Sequence, residues 1–179
     1  MGRIYRSVLA LLSVCLLAAC DPKADLDEAP VDFGPFVLGH NITVARSPSV
    51  GPGSIPVTEA EWVAAMTNAI DERFGRYDGD RLYHFGISVD GYFLTSLDAG
   101  IPGVPSLKSV LALTVTLWDD ALGRKLNEEA KEVVVISAFS GAGPFPTKEV
   151  LLDTLTAQAA KQIQNWMTEN PEWFRPPFE

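Results

Sequence analysis

The stretch Tyr83-His84-Phe85-Gly86-Ile87-Ser88-Val89-Asp90-Gly91-Tyr92-Phe93-Leu94 decides the fold. Its side chains alternate apolar and polar, the period-two pattern of a strand with one buried and one open face. Tyr83, Phe85, Ile87, Val89 and Phe93 are expected to face a core, with His84, Ser88, Asp90 and Tyr92 on the other side. Val110 to Trp118 repeats the pattern, with Leu111, Leu113, Val115 and Leu117 on one face and Trp118 on the other. Asp119-Asp120-Ala121-Leu122-Gly123 reads as the turn that follows, Gly123 being free to take positive φ. The chain is then expected to return as a strand from Arg124 to Phe139, with a bulge in the polar run Glu128 to Glu132.

Outward from this centre, Val37 to Arg46 reads as another strand, with Leu38, His40, Ile42 and Val44 on one face. Thr58-Glu59-Ala60-Glu61 is a capping box, and Trp62, Met66, Ile70 and Phe74 form a stripe every fourth residue behind it, with Gly75 as the stop. Thr147 opens a last helix with the stripe Leu152, Leu155, Ala159, Ile163 and Trp166. A Pro-rich tail carries Trp173, Phe174 and Phe178. The order β-α-β-β-β-α predicts an α+β fold, a four-stranded, mostly antiparallel sheet with two helices packed on one face.

Composition supports one such domain. The chain has 179 residues, 47% hydrophobic and 21% charged, which is too apolar for a disordered segment. A net charge of −9 and a pI near 4.7 argue against binding a phosphate backbone, so no nucleic-acid partner is expected. Two Cys residues exclude a disulfide scaffold.

The N-terminus is the most specific segment. Arg3 and Arg6 precede an apolar run from Val8 to Ala19 that is too short to span a bilayer. This is the form of a secretory signal. Its end, Leu17-Ala18-Ala19-Cys20, resembles the bacterial lipobox. The resemblance implies acylation of the Cys20 sulfur with palmitate-type chains and cleavage between Ala19 and Cys20. Residues 1–19 are thus expected to be a signal peptide, 20–32 a lipid-bearing Cys with an acidic, extended tether, and 33–179 a single α/β domain. Two or three acyl chains anchor a protein stably, at about 0.8 kcal/mol per buried methylene. The predicted location is a membrane surface facing the periplasm, and Asp21 after the lipidated Cys leans the assignment to the inner membrane, as in enteric lipoproteins. By element order alone, residues 35–168 also resemble the small α/β domains of envelope lipoproteins such as the lipopolysaccharide-assembly lipoprotein and the N-terminal domain of TolB. No functional motif of those families falls on a residue of this chain.

Catalytic chemistry has little to work with. There is no G-x-S-x-G, H-E-x-x-H or C-x-x-C, and the two His residues, His40 and His84, are read as a hydrogen-bonded strand histidine and a solvated or acid-paired one. A metal shared by His40, His84 and Asp90 is disfavoured because the residues fall on differently patterned faces. Asp78-Gly79-Asp80 and Asp119-Asp120 read as turns, not calcium loops. Ser140-Gly141-Ala142-Gly143 lacks the continuation of a phosphate loop. No cofactor, metal or catalytic residue is assigned. Tyr92, Trp118, Trp173 and Phe174 remain as aromatics outside the expected core. Either the tail covers the open sheet face or that face binds a partner, and tail coverage is the favoured arrangement. The function expected is a non-enzymatic binding or envelope-assembly lipoprotein whose partner is another envelope protein. The alternative is a solute-binding accessory subunit of a transporter or exporter; a hydrolase ranks last.

Cys20→Ser removes the only acceptor for the lipid, so the variant is expected to keep its signal peptide and to incorporate no radiolabelled fatty acid. Label in the variant at the level of the parent would remove the lipobox assignment.

Overall fold

A computed structural model of the chain describes residues 21–98, 105–138 and 146–175. Two units are distinguished, Met1–Pro30 and Val31–Glu179. In the first, the expected extended tether is instead a run of turns. The carbonyls of Asp21, Lys23 and Asp25 accept from the amides of Ala24, Leu26 and Glu28, and the Asp21 carboxylate accepts from Lys23 N at 2.8 Å. An Asp side chain bonding the backbone two residues on is the local driver.

The second unit runs β1 (Phe36–Val44), β2 (Ser49–Val50), α1 (Glu59–Phe74), β3 (Arg81–Asp98), β4 (Pro105–Asp119), β5 (Arg124–Lys125), β6 (Lys131–Ala138) and α2 (Lys148–Thr168), then a 3-10 turn at Pro171–Phe174. β3 and β4 pair antiparallel at the centre of the sheet. β1 and β2 lie in succession along β3, both parallel to it. β5 and β6 lie in succession along β4, both antiparallel. The fold class is the one the sequence predicts, α+β with two helices against one face of the sheet. The strand count is not: among the described residues six strands replace four, because β2 adds a short strand beyond the expected Val37–Arg46 and the expected Arg124–Phe139 strand is broken into β5 and β6.

The two breaks have different causes. After β1, Ser47 takes a positive φ of 47°, and its amide donates to the Glu59 carboxylate at 2.7 Å, turning the chain toward α1. Between β5 and β6, the side chain of Asn127 stands in for missing strand backbone. Its Oδ1 accepts from Leu117 N at 2.9 Å and its Nδ2 donates to Val115 O at 3.0 Å. A second Nδ2 bond, to Glu129 O at 2.9 Å, closes the loop. The bulge expected at Glu128 to Glu132 is thus a gap bridged by one amide.

Two bulges set the faces. Asp90 is an extra residue in β3, since Val89 opposes Leu113 while Gly91 opposes Ala112. The alternation therefore reverses beyond it: Tyr92 turns inward, 4% exposed, and Phe93 outward, 41% exposed. Both are the opposite of the sequence expectation. A second bulge puts Gly39 and His40 opposite His84 alone. Beyond it Thr43 and Ala45 are buried and Ile42 is exposed, again reversing the expected faces.

The first helix behaves as predicted, and in the second Leu155, Ala159 and Ile163 of the expected stripe are buried while Leu151 and Met167, in place of Leu152 and Trp166, fill its ends. Thr58 and Glu61 form the capping box, and Trp62, Met66, Ile70 and Phe74 are buried against the sheet. Glu61 also takes the Lys148 ammonium at the first turn of α2. That bond first, and the Thr58 bonds next, hold the Glu61 carboxyl down at about 2. Buried Arg73 joins the helices differently, donating to Gln164 Oε1 at 2.7 Å.

Asn127→Ala leaves a buried donor and acceptor of β4 unpaired, which costs about 1–3 kcal/mol for each group left unsatisfied. Glu128→Ala, one residue on and exposed, is expected to stay within about 0.5 kcal/mol of the parent. Equal denaturation midpoints for the two variants would show that Asn127 does not close the strand gap.

Candidate functional site

The face of the sheet turned away from the helices is the candidate site. Ile42, Phe93, Trp118, Val134 and Ile136 are all exposed large apolar residues. Phe93, Val110 and Ile136 sit in one cross-strand row, and Ala112 and Val134 in the next. The row exists because the Asp90 bulge brings Phe93 onto this face. Asp90 itself is held by its neighbours: Ser88 Oγ donates to its Oδ1 at 2.7 Å, and Thr114 Oγ1 to its Oδ2 at 2.5 Å. Phe93, Val134 and Ile136 form one exposed apolar patch around buried Val110, and Thr114, Thr116 and Ser88 separate it from Ile42 and Trp118. An exposed apolar patch on a sheet face is the kind of surface that marks an interaction site.

Of the four aromatics singled out from sequence, only Trp118 is on this face. It is 40% exposed, with the Lys125 ammonium 6.0 Å above its ring. Tyr92 is buried by the bulge, with its ring 5.0 Å from that of Trp62 and its hydroxyl accepting from Val57 N at 3.2 Å. The described part of the tail, to Arg175, packs on the helix side of the sheet. Phe174 is buried, its ring 4.8 Å from Phe33 and 5.3 Å from Tyr83. Trp173 stands edge-on to Trp166 at 5.0 Å. These aromatics join Phe36 and Tyr77 in a cluster no period-based reading reveals, because its members come from both ends of the unit. Phe93, Val134 and Ile136 were missed as site residues; the adjacent Gly91 within a strand run was the available sign of a bulge.

The two histidines come together at a corner of the same face, contrary to the expectation from their patterning. Their rings stack with centroids 4.8 Å apart. His84 Nδ1 accepts from the backbone N–H of His40 at 2.7 Å, and its Nε2 meets Asp120 Oδ1 at 3.1 Å. A Cβ at position 39 would stand 2.3 Å from His84 Nδ1, so glycine is what admits the ring. His84 is therefore the histidine with structural bonds, and His40, expected among apolar strand residues, is exposed. Among the described residues no group of three or more His, Cys, Asp or Glu stands where it could hold a metal ion.

Behind this corner lies a buried ion pair. Arg81 grips Asp119 with Nε at 3.2 Å and with a terminal nitrogen. Asp119 is fully buried and its Oδ1 also accepts from Leu122 N at 3.1 Å. Thus Asp119 shapes the turn, as its sequence suggested, and pairs a charge, which sequence did not suggest. Burial pushes the nearby Tyr83 hydroxyl up to about 12.

A separate open cleft of about 520 Å³ is lined by Val31 to Pro35 on one side and by Met167, Thr168, Pro171, Phe174 and Arg175 on the other. Among the described residues no helix is long and apolar enough to cross a membrane. Cys20, the signal segment, Ser140-Gly143 and Phe178 lie outside the described residues.

No family model matches the sequence, and no curated protein does. Several solved structures are similar in part. Protein XCC0632 from Xanthomonas campestris, of the family model DUF330, is 16% identical over 78% of this chain and 86% of its own, with a TM-score of 0.41. A minor lipoprotein from Acinetobacter baumannii is 12% identical over 72% of this chain and 93% of its own, with a TM-score of 0.37.

Asp119→Ala strands the Arg81 charge and is expected to cost about 3–5 kcal/mol, the usual result of removing one partner of a buried pair. Asp120→Ala, whose partner bond is exposed, is expected to cost at most about 1 kcal/mol. Urea titrations that rank the two variants the other way would contradict this division of roles.

Proposed function

We propose that the chain is a lipid-anchored envelope lipoprotein, held at a membrane through Cys20 and facing the periplasm, and that it is a non-enzymatic binding or assembly module. The observation that carries the anchoring is the run Leu17-Ala18-Ala19-Cys20 at the end of a short apolar segment. The docking role rests on the open sheet face. Its large apolar groups stand in rows across β3, β4 and β6, and the described part of the tail, with Trp173 and Phe174, packs behind the sheet. Two polar groups of the face, His84 and Asp90, are tied into the fold, which supports a binding role. Both His84 ring nitrogens and both Asp90 carboxylate oxygens are engaged in bonds within the fold, so none is presented as a free base or nucleophile. The partner on this reading is another envelope protein.

A second reading, a solute-binding accessory subunit of a transporter, draws on the cleft at Val31 to Pro35. Its lining is mainly apolar, with Asp32 and Arg175 as the charged members, which suits an amphipathic solute.

A photo-crosslinking residue at position 136 is expected to form a discrete adduct in envelope membranes, and one at position 162, exposed on α2, is not. Ile42→Asp together with Val134→Asp should abolish the 136 adduct while leaving the membrane fraction unchanged. Adducts from 162 alone would move the docking surface to the helices; adducts from neither, with solute protection of a cysteine placed at 168, would favour the second reading.

A further inference from the structure

We propose that His84 is a pH-operated latch on the β1 edge of the sheet, which closes when its ring is neutral and releases when the ring is protonated. The proposal stands apart from the docking role and rests on the bulge. Gly39 and His40 together oppose the single residue His84. At the bulge, the His40 N–H is taken by the His84 ring, at 2.7 Å from Nδ1. An imidazole nitrogen accepts only through its lone pair, so Nδ1 is unprotonated in this arrangement and the ring proton is on Nε2, facing Asp120 Oδ1.

Protonation changes one side of the ring and not the other. The Nε2–H···Oδ1 bond to Asp120 persists and becomes charge-assisted. At Nδ1 an acceptor turns into a donor that confronts another donor, the His40 N–H. The ring cannot slide along β1 to escape, because the backbone of Gly39 lies against it. The remaining relief is separation of β1 from β3 at the bulge, or rotation of the ring out of its place. A charged His84 also faces the stacked His40 ring, so protonation of both adds a like-charge repulsion.

The surrounding charges do not cancel this asymmetry. From the turn after β4 comes Asp120, on the Nε2 side. On β5, Lys125 sits over the Trp118 ring, and Trp118 is the β4 residue opposite His84. Arg124 is exposed beside it. On α1, Asp71 is bonded to the Asn41 side chain, next to His40. The Arg81–Asp119 pair is closed on itself in the core. Among the described residues the His40 N–H donates to His84 Nδ1, while Asp120 and Asp71 are bonded to other groups. Acidification therefore acts on one backbone hydrogen bond at one strand edge.

The test is amide hydrogen exchange and imidazole nitrogen NMR on the full 179-residue chain in detergent micelles. The His40 amide is expected to lose protection as the pH is lowered from about 8 to about 5, the range in which histidines change charge. One pH unit below the midpoint, only about a tenth of the rings are neutral, so protection should have fallen about tenfold. His84→Asn places an amide oxygen near the position of Nδ1 and cannot titrate, so the step should vanish. His40→Gln keeps the backbone donor and should retain the step, which separates the latch from titration of the His40 ring itself. Should His84→Asn fail to fold, the His84 nitrogen shifts of the parent decide: a protonated Nδ1 at about pH 8 overturns the proposal. So does equal His40 protection at both ends of the range, or a step that survives in His84→Asn.

Discussion

The antiparallel ladder between β3 and β4, from Tyr83 opposite Asp119 to Asp98 opposite Pro105, supports every other part of this unit. Each outer strand hangs from one side of it, and the helices cover one face of it. A ladder of this kind transmits register: an added residue on one strand moves all later side chains to the other face. Asp90 is that residue. It sits in the extended run without being part of the alternation, held by Ser88 and Thr114. Its effect is to seal the core with Tyr92 and to put Phe93 outside. The place of Phe93 on the open face, beside Ile136 and Val134, is thus a consequence of one bulge in the central strand.

The outer strands share a physical solution. Where their backbone leaves the ladder, a side chain substitutes for the missing group. Asn127 supplies both an acceptor and a donor to β4, which suits an amide because it carries the same two groups as a peptide unit. His84 supplies an acceptor to β1. The two substitutes differ in chemistry. An amide does not titrate, so the β5–β6 gap is indifferent to acid. An imidazole does, which is the chemical basis of the latch proposed for the β1 bulge.

Charge is used sparingly inside. Arg81–Asp119 and Arg73–Gln164 are the buried interactions of charged groups described above, and both tie together segments distant in sequence. The gain from a buried pair over an apolar replacement is small, but the loss on removing one member is large. Such pairs therefore act as constraints on arrangement. Arg81 and Asp119 hold the start of β3 against the end of β4, which is where the histidine corner and Trp118 are placed.

The amino-acid sequence by itself determined the helices, the order of elements, the fold class and the candidate lipid site. The capping box at Thr58 and the stripe from Trp62 to Phe74 are local, and local signals survive into the fold because the caps and periodicity act within a few residues. The run Leu17-Ala18-Ala19-Cys20, which resembles a lipobox, is short and contiguous and is equally legible. What the tertiary structure alone decided was which way the strand residues beyond each bulge point, and where the aromatic tail goes. Tyr92 and Phe93 exchange places because a bulge is defined by two strands, and no count along one strand reveals it. His40 and His84 meet although 44 residues separate them. Phe174 fills a cluster built from the first and last segments of the unit, a contact of long range with no periodic trace. The described part of the tail, which was expected across the open face, instead places Phe174 among Phe33, Phe36 and Tyr83 on the helix side, where an aromatic ring leaves water among other apolar rings.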